Sequence, residues 1–133
     1  MPSSNKKPTK KQLEMLEARK GFTLFCRTLN DMAQEAFDNS AVHGFHEGKL
    51  PDFAELIALI HSEASEALED DRAGNTELTF GPGSKPLGVG QELADIVIRV
   101  GHTAVRMGIN LEEMVRIKQA YNRTRPWKHN KKY

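Results

Sequence analysis

The stretch PDFAELIALIHSEASEALED, residues 51–70, reads as an amphipathic helix. Phe53, Leu56, Ile57, Ile60, Ala64, Ala67 and Leu68 recur at helical spacing and make one apolar stripe. Pro51 suits a first-turn position, and Asp52 suits the start of a helix. The last ten residues nevertheless hold four acids. Glu63 and Glu66 stand three apart, so they share a face with Cβ atoms about 5–6 Å apart. At 100° per residue, Glu63 falls at the edge of the stripe and Glu66 a little farther round. Glu69, Asp70 and Asp71 lie farther round or past the helix end and read as solvated surface.

Other segments repeat the helical period. Phe22, Phe25, Cys26, Leu29, Ala33, Ala36 and Phe37 predict a helix from Phe22 that stops near Val42-His43-Gly44, with Gly44 as its C-terminal cap. A third helix is expected over residues 90–107, with Leu93, Ile96, Val97, Val100 and Ala104 as its stripe. It carries a second acidic pair, Glu92 and Asp95, also three apart, with Arg99 on the same side. Asn110 is placed to cap a fourth helix, with Glu113 three residues on in a capping-box pattern. That helix should end before Pro126. The glycine- and proline-rich segment 71–90 reads as a loop with a short extended piece at ELTF, and as a hinge or lid that offers Lys85 as a contact. No stretch alternates with period two for long enough to build a sheet. The expected fold is all-α, a bundle of four to five helices. Residues 1–8 read as a disordered basic lead-in, 9–126 as the helical domain, and 127–133 as a basic tail.

Composition narrows the function classes. A net charge of +1 gives no case for a polyanion-binding protein, although basic residues crowd both ends of the chain. One cysteine, Cys26, cannot form an internal disulfide and sits in an apolar stripe, where it reads as core packing. No run of 18 apolar residues predicts a membrane span, and the N-terminus lacks the apolar region of a secretory signal. A soluble cytoplasmic protein is the default expectation.

The acids decide more. If the second and third helices pack by their stripes, both acidic pairs can turn toward one groove. Two unit charges at 4 Å repel by about 4 kcal/mol at an effective dielectric near 20. Shifted proton affinities or hard divalent cations, Mg²⁺ above all, can offset that repulsion. On the fourth helix Leu111, Met114, Val115, Lys118, Tyr121, Asn122 and Arg125 follow one stripe, so Lys118, Asn122 and Arg125 continue its inward side. Buried cations require anions, and either the acids or phosphate oxygens can meet them. Phe45 and Trp127 are candidates for base stacking, whereas His43 and His46 read as surface residues.

These residues together resemble the MazG-like, all-α NTP pyrophosphohydrolases, a group that includes dimeric dUTPase-type enzymes. The resemblance rests on HSEASEALE (Glu63, Glu66), then 25 residues, then QELAD (Glu92, Asp95), on HGF at 43–45, and on the ending KQAYNRTRPWKHNKK, which supplies Lys118, Asn122, Arg125 and His129. It spans roughly residues 22–131. His102 stands where related sequences often carry an acid, and Asn130 where glycine is frequent. The resemblance implies hydrolysis of a (deoxy)nucleoside triphosphate to the monophosphate and pyrophosphate, as in house-cleaning of a nucleotide pool. It implies that Glu63, Glu66, Glu92 and Asp95 hold Mg²⁺, with Mn²⁺ able to substitute. Lys118, Asn122, Arg125 and His129 would bind the substrate. It also implies a homodimer or dimer of dimers that completes the bundle. The competing expectation is a non-catalytic helical interaction module whose acids pair with Lys118, Arg99 and Arg125 across helices.

Overall fold

The computed structural model describes residues 9–14 and 28–127; residues 10–14 are helical, and Thr28 opens the next helix. Its side chain accepts from the Asp31 amide while the Asp31 carboxylate accepts from the Thr28 amide, a complete capping box. Helix α1 is therefore Leu29–Val42. This corrects the expectation of one helix from Phe22: the apolar period runs through Thr28, but Thr28 is extended (φ −75°, ψ 164°). A side-chain oxygen that satisfies the orphan amides outweighs the continuity of the stripe. The signal, Thr-x-x-Asp, is present in the sequence. Phe22, Phe25 and Cys26 lie outside the described residues, as do the expected N-terminal lead-in and residues 128–133 of the basic tail.

Gly44 takes the left-handed conformation (φ +81°) just past α1 and ends it as expected. Helix α2, Phe53–Ala73, is N-capped by Asp52 in a capping box with Glu55, so Pro51 precedes the cap rather than occupying the first turn. It runs to Gly74, another left-handed glycine, which puts Asp70 and Asp71 inside the helix. Two short strands follow, β1 (Thr79–Phe80) and β2 (Pro86–Leu87), paired antiparallel with Thr79 opposite Leu87. A 3-10 turn at Pro82–Ser84 joins them. Helices α3 (Val89–Arg106) and α4 (Leu111–Arg123) complete the described chain. Asn110 caps α4 by accepting from the Glu113 amide. The described chain is mostly helical, with this one small ribbon.

The chain divides into two compact units. Among the described residues, the first holds 9–14 and Pro51–Arg99, hence α2, the ribbon and α3 up to Arg99. Here Asn75 joins two helices. Its amide donates to Asp70 O and its side-chain NH₂ to Asp70 Oδ1, while its carbonyl accepts from the Val89 amide at the start of α3. Gly88 permits that junction: it has φ +117°, and a Cβ there would lie 2.5 Å from the Glu77 carbonyl. The tip of the ribbon touches residues 9–14, where Lys11 Nζ donates to Gly83 O at 3.5 Å.

The second unit holds Thr28–Leu50 and the chain from Val100 onward. Ala33 of α1 packs on Gly101 of α3 so closely that a Cβ on Gly101 would lie 2.9 Å from Ala33 Cα. Asn30 clasps α4, donating to Asn110 Oδ1 and accepting from the Glu112 amide. His46 corrects the expectation of a surface residue. It is part-buried, its Nε2 lies 2.9 Å from His102 Nε2, and both rings sit against Phe37. Pairing of residues 56 positions apart leaves no periodic trace in sequence.

Hydrophobic cover is sparse. Among the described residues the buried apolar ones are Ala33, Leu56, Ala67 and Ala104. Phe53, Leu68, Leu93 and Val97, all expected core positions, are 46–54% exposed. No helix among the described residues is long and apolar enough to cross a membrane.

Candidate metal centre

Buried residues on α2 fall at Leu56, Glu63 and Ala67, with Ile60 partly covered between them. The centre of burial is thus turned by roughly 60° from the centre of the apolar stripe, at 100° per residue. Glu63 is on the buried line, 6% exposed, not at its edge. Helix α3 does the same: Glu92 is 6% exposed while Leu93 is 53% exposed. Both helices present acids where a self-contained core would place aliphatic side chains.

The consequence is a cluster. One carboxylate oxygen each from Glu63, Glu92 and Asp95 lies within 4.8 Å of the others. Asp95 is the most exposed of the three. Glu66, the fourth acid, is exposed and accepts from Ser62 Oγ at 3.3 Å. It stays near enough for its charge to act on Glu92.

The electrostatics follow from this crowding. Desolvation pushes the Glu92 carboxyl above its ordinary range, and the charges of Glu66, Asp95 and Glu63 push it further, with Lys85 opposing. Asp95 is raised too, by desolvation and Glu63, against the pull of Arg99 and Lys85. Glu63 is compensated directly: Arg99 Nε donates to its Oε1 at 2.6 Å. The Glu92 carboxylate has no hydrogen-bond or ion-pair partner among the described residues, and its oxygens keep some contact with solvent.

This donor set suits a hard cation. Mg²⁺ and Ca²⁺ take carboxylate oxygens, and ligands on opposite sides of Mg²⁺ stand about 4.2 Å apart. Oxygens no more than 4.8 Å apart need only a sub-ångström adjustment to share such an ion. Three carboxylates this close together are costly unless a proton or a cation meets them.

No protein-family model, curated protein or solved structure matches the chain. The site therefore rests on its own residues.

The remaining candidate residues lie in the second unit. Lys118 and Asn122 are exposed, and Arg125 is half-buried. This differs from the expected inward placement, because α4 leaves that side open: Ile117 and Tyr121 are 58% and 57% exposed. Lys118 Nζ lies 5.2 Å from the centre of the Tyr121 ring, and the Arg125 guanidinium lies 6.0 Å from it. Both cations thus lie over the electron-rich face of Tyr121, which attracts them. Phe45 and Trp127 are largely exposed, at 73% and 84%. His129 lies outside the described residues. The Arg99–Glu63 bond is one of the cross-helix acid–base pairs that the competing expectation names, with Glu63 as the acid it meets.

Proposed function

We propose that the protein is a Mg²⁺-dependent, MazG-like nucleoside triphosphate pyrophosphohydrolase that converts a (deoxy)nucleoside triphosphate to the monophosphate and pyrophosphate. The observation that carries this reading is the convergence of Glu63, Glu92 and Asp95 within 4.8 Å, with Glu63 and Glu92 each only 6% exposed. The ordered motif set in the sequence supplies the reaction class. Glu63, Glu92 and Asp95 would hold Mg²⁺ (or Mn²⁺), with Glu66 beside them. Such an ion, when bound, screens triphosphate charge and makes a water more acidic. One of the four carboxylates would accept that water's proton. Lys118 and Arg125 would neutralise phosphate oxygens, and Asn122 would donate an N–H to one.

A homodimer or dimer of dimers belongs to the same proposal. The exposed apolar residues of α2, α3 and α4 support it, because so small a buried set gives a single chain little hydrophobic stabilisation. Light scattering on the purified chain tests this directly.

A second reading has one observation in its favour. The 2.6 Å Arg99–Glu63 contact is a cross-helix acid–base pair, as a non-catalytic interaction module would use. A pyrophosphate-release screen over common and damaged (deoxy)nucleoside triphosphates with Mg²⁺ separates the two. The hydrolase releases pyrophosphate, and Glu63→Gln or Asp95→Asn abolishes the release without loss of helicity. Release that is absent for every nucleotide, or unaffected by excess chelator, refutes the Mg²⁺-dependent hydrolase.

A further inference from the structure

Arg99 lies where a cation would compete with it. Its Nε donates to Glu63 Oε1 at 2.6 Å, on one of the three acids whose oxygens converge. Arg99 and Asp95 stand one helical turn apart on α3, so the same guanidinium also acts on a second acid of the cluster. Glu63 is the recipient that matters most: its side chain is 8% exposed, against 38% for Arg99. Hydration can compensate the guanidinium, but it compensates the carboxylate far less. We propose that Arg99 is a built-in counter-ion that competes with divalent cations for Glu63 and thereby sets how tightly the cluster binds them. The proposal rests on the metal-site reading above.

The physical argument has two parts. A carboxylate has two oxygens and about four lone-pair directions, so Glu63 can keep Arg99 on Oε1 and still offer Oε2. Even then the guanidinium cancels negative charge that would otherwise attract the ion. If the ion takes Oε1 instead, the 2.6 Å hydrogen bond must break first. Both routes weaken cation binding, so the sign does not depend on which is followed. Arg99 is 38% exposed, so water can hydrate its guanidinium when a cation takes its place on Glu63. A site held this way binds cations only where they are abundant and does not trap them. It also keeps the crowded acids compensated when cations are scarce.

The test is Mn²⁺ binding to the full chain, followed by calorimetry and by the electron paramagnetic resonance of free Mn²⁺. It compares the native protein with Arg99→Met and Arg99→Lys. An opposite charge within about 4–6 Å changes a carboxylate's affinity for a proton by about one to three decades. Solvent screening on a side chain 38% exposed takes the lower end. Arg99→Met should therefore bind Mn²⁺ about ten-fold more tightly, and Arg99→Lys should stay near the native value. In chelator, Arg99→Met should melt below the native protein, and saturating Mn²⁺ should close that gap. Should Arg99→Met fail to fold, Arg99→Gln carries the same expectation. Equal or weaker Mn²⁺ binding by the charge-removing variant, with binding by the native protein intact, overturns the proposal and leaves the metal site standing. No Mn²⁺ binding by any of the proteins overturns both.

Discussion

Replacing Glu92 by glutamine removes one negative charge from a cluster whose carboxylate oxygens lie within 4.8 Å of one another. Two unit charges 4.8 Å apart repel by about 3.5 kcal/mol at an effective dielectric near 20. Arg99 on Glu63 and the charge of Lys85 offset part of this, and solvent at Asp95 takes more, so the net relief is roughly 1–2 kcal/mol. The new side-chain amide at position 92 can also donate to a neighbouring carboxylate, which the native side chain cannot do once ionised. One kcal/mol moves the melting temperature of a chain this size by about 3–5 °C. In chelator near neutral pH, Glu92→Gln should therefore melt about 3–10 °C above the native protein. The gain should vanish on acidification. The folded chain raises the proton affinity of Glu92 and Asp95, so between the unfolded and folded values it binds more protons than the unfolded chain. The stability from these two groups is thus complete below the ordinary carboxylate range and is lost as pH rises through their raised folded values. Saturating Mg²⁺ should restore stability to the native protein and do much less for the variant. Differential scanning fluorimetry across pH, with and without Mg²⁺, reads all of this. A Glu92→Gln variant that melts at or below the native temperature in chelator near neutral pH would refute the reasoning, because the acids would then not be crowded.

Further expectations concern what holds the site and its surroundings. Gly88→Ala must shift the Glu77 carbonyl, 2.5 Å from the new Cβ, and so displace the start of α3; Mn²⁺ affinity should fall while helical circular dichroism is retained. Gly101→Val drives side-chain atoms into Ala33 and should cost about 1–3 kcal/mol, read by chemical denaturation. Thr28→Ala removes the capping box of α1 and should cost about 1 kcal/mol, with faster amide exchange in its first turn. Asn30→Ala deprives both Asn110 and the Glu112 amide of a partner, and should raise exchange at the start of α4 without altering Mn²⁺ binding.

The helices and their ends are largely legible in the amino-acid order. Asp52, Asn110 and Gly44 act through bonds within a few residues or through their own backbone freedom, so local chemistry suffices to place them. Thr28 belongs to the same class, and the start of α1 escapes a reading that gives the apolar period more weight than the cap. The spacing that puts Glu63 beside Glu66, and Glu92 beside Asp95, is likewise fixed by the helical repeat alone.

Which of those acids meet was decided elsewhere. A helix's apolar stripe states which face it can bury, but the neighbours that actually cover it choose the face that becomes buried. On α2 that choice turned burial away from Phe53 and Leu68 and onto Glu63. It drew Glu63 toward Glu92 and Asp95, left Glu66 in solvent, and put Arg99 on Glu63 across 36 residues of chain. Likewise the His46–His102 contact depends on where a turn and a helix come to rest. Periodicity is a property of one element, whereas charge proximity is a property of two, and only the packed chain supplies the second.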